Sequence, residues 1–279
     1  GSRVGFGSYD SFEIFQEGLQ LRSLKIYDAG VRNDAIWQII YDNLRFPESS
    51  LGDLRAQIAA CNIAERRLGE LYKRYDSPTI SACIDKIWEQ SEAAARDVVV
   101  EIPDGVYEAE GCLDNDGVVM DKPLVIKVKV TIKGSDMTID YTGTNPQVRS
   151  PLNSGSGGSA AARIAFKALT LPNAPVNEGC FRPLELISPP GTILNAKPPA
   201  AIGLWSVALP TVIDLILKAL APALPERIPA AHKGDMGGCS FYGYREEDGS
   251  RFLLMNIMGG GWGGRPAGDG ESAAMSICQ

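Results

Sequence analysis

The chain has 279 residues, 44% of them hydrophobic and 22% charged, an ordinary composition for a globular protein with a sizeable core. Its net charge is -7 and its pI about 4.9, which argues against nucleic acid or an anionic membrane as the main partner. The longest apolar run, residues 200–223, is interrupted by Pro210, Asp214, Lys218 and Pro222, so it is not a membrane span.

Residues 1–100 are predicted to form a mainly helical region. The elements expected there, in chain order, are a short helix or turn over 12–19, a strand over 21–27, a helix over 33–44, a long helix from a cap region at 49–53 to about Tyr75, and a helix from Asp76 to about Arg96. The last two helices are predicted to form an antiparallel pair.

Residues 101–150 change character and predict an antiparallel β-meander. Three runs alternate in period two, at 106–112, 124–133 and 137–142, and turn sequences separate them. Asp114-Asn-Asp-Gly117 resembles the start of an EF-hand loop, but the later ligands and helical flanks are missing, so we reject calcium there.

Residues 151–279 predict a mixed α/β region with glycine-rich loops. The elements expected are helices over 159–169 and 206–220, a strand over 184–187, and a hairpin of strands 239–244 and 251–258. Pro210 is expected to interrupt the second helix early. The predicted fold class is therefore α+β: a helical layer, a meander and a second mixed region.

Three polar, glycine-rich loops, 143–158, 232–238 and 259–270, each adjoin a helix or strand end. If they converge, they form one site. Loop 143–158 leads into a helix N-terminus, where free backbone N–H groups can bind an anion, although an ordinary capped loop is the alternative. Loop 259–270 has seven glycines in twelve residues, which indicates either close approach to a ligand or a flexible or tightly folded loop.

Cysteine and histidine limit the possible chemistry. The six cysteines form no C-x-x-C pair, so we expect reduced thiols in a cytoplasmic protein. Cys180 has Arg182 near it, and a nearby cation lowers the pKa of a thiol; the alternative is a small buried residue. His232 is the single histidine, which excludes a metal site built from several histidines of this chain and leaves one residue for histidine-dependent catalysis.

Four strings resemble the hydantoinase B/5-oxoprolinase family in order and spacing over essentially the whole chain. They are Gly52-Asp-Leu-Arg-Ala-Gln-Ile-Ala59, Asp140-Tyr-Thr-Gly-Thr-Asn-Pro-Gln-Val-Arg149, Asn177-Glu-Gly-Cys-Phe-Arg-Pro183 and Gly260-Gly-Trp-Gly-Gly-Arg-Pro266. Gln16-Glu-Gly-Leu19 and Leu24-Lys-Ile-Tyr27 fit the same pattern.

The resemblance implies a B-type subunit in a hetero-oligomer with a hydantoinase A-like subunit. That partner binds ATP and phosphorylates the substrate, and the B-type subunit hydrolyses the activated cyclic amide, such as a hydantoin, 5-oxoproline or a lactam. A related branch uses ATP to carboxylate ketones such as acetone or acetophenone. A third possibility is a non-catalytic scaffold subunit.

Two departures from the family are visible. The family's B-type subunits are longer at both ends, so we expect a fragment of a larger subunit, and the family's His/Asp metal-ligand candidates should lie before this chain. A divalent metal is therefore possible in the complex, but no ligands for it are predicted here. Residues 231–238 also depart from the Gln-Gly-x-x-Asn-Asn type expected of oxoprolinases, which argues against 5-oxoproline as the substrate.

ATP-dependent amide opening needs oxyanion donors, a group that activates water, and an anion clamp. The candidate catalytic residues are His232 or Asp235 as base, Arg265 as a bidentate clamp for phosphate or carboxylate, and Cys180. The candidate substrate- or anion-binding residues are Asn153, Arg182, Gly260, Gly261, Trp262 and Gly263.

Overall fold

Within residues 10–233 and 237–274, which the computed structural model describes, helices and strands occur together in an α+β fold, as predicted. The α-helices are α1 (Asp34–Asp42), α2 (Pro47–Arg74), α3 (Ser77–Val100), α4 (Gly157–Thr170) and α5 (Trp205–Leu220). The strands are β1 (Tyr27–Asp28), β2 (Val31–Arg32), β3 (Gly105–Leu113), β4 (Leu124–Lys133), β5 (Asp136–Asp140), β6 (Leu184–Ile187), β7 (Gly237–Tyr244) and β8 (Arg251–Met258). Short 3₁₀ helices lie at Ile14–Gln16 and Glu178–Phe181.

A four-stranded sheet in the order β3-β4-β5-β6 organises the core. The first three strands are antiparallel, which confirms the predicted meander, and β6 adds to β5 in parallel from beyond residue 150. Along β4, residues from Leu124 to Ile132 alternate between buried apolar side chains and more exposed ones such as Lys127 and Lys129. This alternation specifies the register, because a slip of one residue would turn the lysines into the core.

Helices α4 and α5 pack against each other, and α5 also packs against β3 and β4. Most of α5 is buried and apolar. Pro210 was predicted to interrupt this helix, but α5 continues through it without a break. Pro210 has no N–H to offer the carbonyl of Ser206 one turn earlier, but burial of the surrounding apolar residues outweighs this loss.

Helices α2 and α3 differ in how much of each is buried against the rest of the protein. Helix α3 buries Ala95 and Val99 near its C-terminal end, whereas the single buried residue of α2 is Leu51, near its N-terminal end. Contacts between α2 and α3 are far fewer than between α4 and α5. The predicted close antiparallel pairing of α2 with α3 is therefore wrong, since the apolar stripe of α2 is not packed on its neighbour.

Two local predictions are also wrong. Residues 21–26 form no strand, and β1 and β2 are two-residue strands joined through a turn in which Ala29 and Gly30 have positive φ. Helix α2 begins at Pro47 instead of at 49–53, because proline suits the first helical position, where no N–H partner is needed.

Strands β7 and β8 form a separate two-stranded antiparallel sheet, as the predicted hairpin requires. The helices of the described part of the chain include none that is both long and apolar enough to cross a membrane.

Candidate functional site

A buried histidine–aspartate pair lies at the centre of the candidate site. His232 Nδ1 is 2.5 Å from Asp214 Oδ2, and the two side chains are 1% and 14% exposed. In a neutral ring, a proton on Nδ1 directed at the carboxylate leaves Nε2 as the acceptor. The carboxylate therefore orients the ring and can stabilise a proton that His232 takes up at Nε2.

Helix α5 and the segment after it assemble this pair. Asp214 is the one acidic residue in a mostly apolar helix. Beyond α5, Leu224 and Ile228 are buried in the core, and residues 228–232 line the same cavity as the second half of α5. The hydrophobic packing of this return segment brings His232 to the carboxylate.

Trp262 covers the imidazole ring. The ring centroids of His232 and Trp262 are 5.3 Å apart, with an interplanar angle of 30°, and the indole also packs against the main hydrophobic core. The Trp262 backbone N–H donates to the carbonyl of Glu271 at 2.9 Å. Its indole Nε1 is buried and has no hydrogen-bond partner among the described residues. Trp262 thus holds the imidazole in place from the side of the glycine-rich loop.

A cavity of about 440 Å³ adjoins the pair. Its wall is mostly apolar, with a few polar groups, which is the usual composition of a small-molecule site. The lining residues are Glu110, Gly111, Thr211, Asp214, Leu215, Leu217, Lys218, Ala221, Ile228, Pro229, Ala230, Ala231 and His232. The arrangement can admit a small, largely apolar molecule beside a histidine whose orientation is fixed.

Several glycines of loop 259–270 are explained by contacts within the protein. A Cβ on Gly263 would collide with the Ala230 backbone, and one on Gly270 would collide with the Trp262 backbone. Backbone hydrogen bonds tie the loop to its surroundings, including Ala230 N to Gly264 O at 2.9 Å. The dense glycines therefore permit backbone segments to pack closely, which is the tightly folded alternative considered from the sequence.

Arg265 lies in a different, smaller cavity of about 160 Å³. Trp262 belongs to the wall of this cavity and contacts His232 on the other side. Two carboxylates, Asp269 and Glu271, share the cavity with the guanidinium, so the local charge does not favour a phosphate. The structure thus separates Arg265 from the cavity beside His232.

Loop 143–158 is built around Asn153, which is fully buried. Its amide nitrogen donates to the carbonyls of Val148, Ser150 and Ala201, and its Oδ1 accepts from Val148 N at 2.7 Å. These hydrogen bonds tie the Asn153 side chain to the loop and to the segment before α5, which is a structural role.

The N-terminus of α4 is similarly occupied by protein groups. Gly157 N donates to Ser154 Oγ at 2.6 Å, and Gly158 N donates to the carbonyl of Leu194 at 3.3 Å. These backbone groups would otherwise be the donors for an anion. The geometry corresponds to the capped-loop alternative.

Cys180 and Arg182 belong to the docking of α3 onto the core. Cys180 is fully buried, with Sγ 3.6 Å from the Pro175 carbonyl, which fits the small-buried-residue alternative. Arg182 donates to Glu92 at 3.0 Å and stacks 5.5 Å from the Trp88 ring centroid. Hydrogen bonds from Arg182 and then Arg96 hold the pKa of Glu92 below its ordinary value.

Of the three predicted loops, the structure joins two. Lys233 N donates to Gly261 O at 3.4 Å, so the start of loop 232–238 packs on loop 259–270. Loop 143–158 instead bonds to Val125, Ile193 and neighbouring backbone. Asp235, a candidate base, lies outside the described residues.

A metal site does not emerge from the described part of the chain. In residues 10–233 and 237–274, no three histidine, cysteine, aspartate or glutamate side chains come together as a ligand set. The described residues therefore do not supply a ligand set for the divalent metal that the family resemblance implies.

Asp214 is the site residue that sequence reasoning missed. It interrupts the apolar run 200–223, and by sequence it argues only against a membrane span. The available signal was an ionisable residue in the buried helix of the core, because such a carboxylate needs a partner.

Two solved structures have the same fold as this chain. The chain superposes on the crystal structure of an ATP-dependent caprolactamase from Pseudomonas jessenii with a TM-score of 0.88 at 27% identity, covering 97% of this chain and 47% of that one. A nucleotide-free acetone carboxylase matches with a TM-score of 0.84 at 14% identity, covering 98% of this chain and 39% of the other, which shows a shared fold.

Proteins with similar sequences are also named for hydantoinase and caprolactamase subunits. A protein from Pseudomonas sp. (strain NS671), provisionally named as the B component of a D-/L-hydantoinase, is 36% identical over 97% of this chain and 47% of its own length. The beta chain of the caprolactamase of Pseudomonas jessenii is 29% identical over 96% of this chain and 47% of its own length. The chain thus spans about half the length of these curated relatives.

The family model described as Hydantoinase B/oxoprolinase matches residues 1–279. The chain belongs to this family. The resemblance seen in its strings is thereby confirmed, and several of its relatives are named as subunits.

Proposed function

We propose that this chain is part of the B-type subunit of an ATP-dependent cyclic-amide hydrolase that works with an ATP-binding A-type subunit in a cytoplasmic hetero-oligomer. The observation that carries the proposal is that nearly the whole chain is related to subunits named for hydantoinase and caprolactamase. The cavity beside His232 and Asp214 supports it, because a lactam or hydantoin ring is a small ligand whose polar groups are a few carbonyls and N–H groups.

The reaction needs activation before hydrolysis. In the proposed scheme the A-type subunit transfers the γ-phosphoryl group of ATP to the amide oxygen, which leaves ADP. Water then adds to the activated carbon and loses a proton to His232 Nε2, and the ring C–N bond breaks as the nitrogen takes up protons, which leaves an acyl phosphate. A second water hydrolyses the acyl phosphate to give the open amino acid and phosphate. Asp214 stabilises the imidazolium while it holds the proton.

The test is turnover by the assembled complex. The chain, in its full-length subunit, is co-purified with an A-type subunit and given ATP with a panel of hydantoins, lactams and 5-oxoproline. Phosphate release that depends on substrate, together with ring opening detected by mass spectrometry, is the expected result. Absence of both across the panel contradicts the proposal.

A ketone carboxylase is the second candidate. The acetophenone carboxylase delta subunit of Aromatoleum aromaticum is 26% identical over 93% of this chain and 39% of its own length. Incorporation of labelled bicarbonate into acetone or acetophenone, with ATP consumption and without lactam opening, would select this function.

The scaffold alternative is tested by the same complex. A scaffold role predicts that substitutions at His232 and Asp214 leave turnover unchanged in a correctly assembled complex. The cyclic-amide proposal predicts that they reduce it.

A further inference from the structure

Helix α2 carries an apolar seam that the described chain leaves uncovered. Apolar residues recur with alternating spacings of three and four, which is the heptad pattern of a coiled coil. The seam positions are Leu51, Leu54, Ile58, Cys61, Glu65, Leu68 and Tyr72, and Glu65 is the one charged residue among them. The pattern continues for more than three heptads, which is enough to specify a helical partner.

The structure shows that this seam is exposed over most of its length. Leu51 is buried and Leu54 and Ile58 are half-buried, but Leu68 is 51% exposed and Tyr72 50% exposed. Helices of this kind are stabilised mainly by packing of their apolar face, so the seam requires a cover. Helix α3 does not supply it, since α2 and α3 contact each other little.

We propose that the seam of α2 pairs with the seam of α2 in a second copy of this chain, as an antiparallel two-helix coiled coil. We place the two-fold axis of the antiparallel pair at the height of residue 63 along the helix. Ile58 of one copy then lies opposite Leu68 of the other. In the same register Leu54 lies opposite Tyr72, and Cys61 lies opposite Glu65. The interface is isologous, so one surface covers itself completely.

Charge selects the antiparallel orientation. Residues 47–60 contain two acidic residues and one basic residue, a net charge of -1. Residues 61–74 contain two acidic and four basic residues, a net charge of +2. An antiparallel pair sets these halves against each other, whereas a parallel pair would align the two basic halves and the two Glu65 carboxylates.

The experiment is sedimentation or light scattering of the chain in its full-length subunit, compared with the monomer mass of that subunit. The wild type is expected at twice that mass. Leu68→Glu removes two seam leucines from each dimer and should raise the dimer Kd by more than about tenfold. Ile63→Glu is the matched control, because Ile63 is equally exposed, at 52%, but lies on the opposite face of α2.

A monomeric wild type, as expected if another chain covers α2, would overturn the proposal. So would a Leu68→Glu variant that dimerises as well as wild type, or an Ile63→Glu variant that dissociates equally. Far-UV circular dichroism checks that both variants keep their helices. These outcomes do not depend on turnover, so they separate this proposal from the proposed function.

Disulfide cross-linking tests the register of the two α2 helices. Glu65→Cys places a thiol opposite Cys61 of the other copy, and mild oxidation should give an intermolecular disulfide between positions 61 and 65. In the wild type, oxidation that instead links Cys61 to Cys61 would show a parallel pair and overturn the antiparallel arrangement.

Discussion

His232 Nδ1 lies 2.5 Å from Asp214 Oδ2, across a turn of chain that leaves α5 and returns along it. Both groups are largely shielded from solvent, and the imidazole is also stacked against Trp262. A histidine held from two sides has a defined ring orientation, which a general base requires. This pair is therefore where substitutions should separate a catalytic from a structural role.

We expect Asp214→Asn and His232→Gln each to lower kcat of the assembled hydrolase by about 10²-fold or more, because a positioned general base contributes about 10²- to 10⁴-fold. Since the two residues act as a unit, the double variant should lose little more than either single variant. Steady-state ring-opening assays measure this. Asp121→Asn, at an exposed position, is the control and should behave like wild type.

Trp262 should matter for the placement of His232 as well as for stability. Trp262→Ala removes a large half-buried ring and is expected to reduce the free energy of unfolding by about 2–4 kcal/mol, at the lower side of aromatic-to-alanine losses. Trp262→Phe keeps an aromatic face and should lose less. Urea unfolding compares the two variants, and equal losses would contradict a stacking role.

The glycine-rich loop permits a matched comparison. Gly263→Ala and Gly270→Ala drive a methyl group into backbone atoms of Ala230 and Trp262, so we expect losses of about 1–3 kcal/mol, as for other overpacked positions. Gly268→Ala meets nothing within 4 Å and should be near neutral. If all three variants melt alike, close backbone packing is not the reason for these glycines.

The docking of α3 should weaken in acid. Hydrogen bonds from Arg182 and Arg96 lower the pKa of Glu92 relative to its ordinary value of 4.5. A carboxyl group with a lower pKa in the folded than in the unfolded chain stabilises the fold fully above about 4.5, and this contribution is lost as the pH falls through the lowered folded pKa.

Glu92→Gln should therefore cost stability at pH 7 and progressively less as the pH falls below 4.5. The cost at pH 7 should be below about 1 kcal/mol, because the pair is solvent-screened. Thermal unfolding between neutral pH and pH 3 measures it. Glu89→Gln is the control, since Glu89 pairs only locally with exposed Lys86 on the same helix.

The local structure of the chain was largely readable from residue patterns. The alternation in β4 predicted a strand, which the structure confirms. The predicted helix starts at Asn33 and Asp76 are also confirmed, and the structure shows that both side chains are N-caps. Where a local signal was weak, as in residues 21–26, no strand formed. The family strings were also visible without any fold, because their order and spacing are properties of the sequence alone.

The sequence indicated only one member of the His232–Asp214 pair. His232 stood out as the single histidine, but its partner Asp214 lies 18 positions earlier in a helix that has the pattern of a core helix. Conversely, Asn153, Cys180 and Arg182 looked chemically apt and are engaged in internal hydrogen bonds, burial or ion pairing. A pattern shows which groups a chain carries, but their partners depend on long-range packing.

The sequence by itself determined the α+β class, the meander, the hairpin and the family, because periodicity, turn chemistry and motif order are local. Tertiary structure alone decided that Asp214 meets His232, that Trp262 covers the ring, and that α2 stands apart from α3. Those outcomes depend on how apolar surfaces separated by many residues pack, and no local pattern specifies which surface is left uncovered.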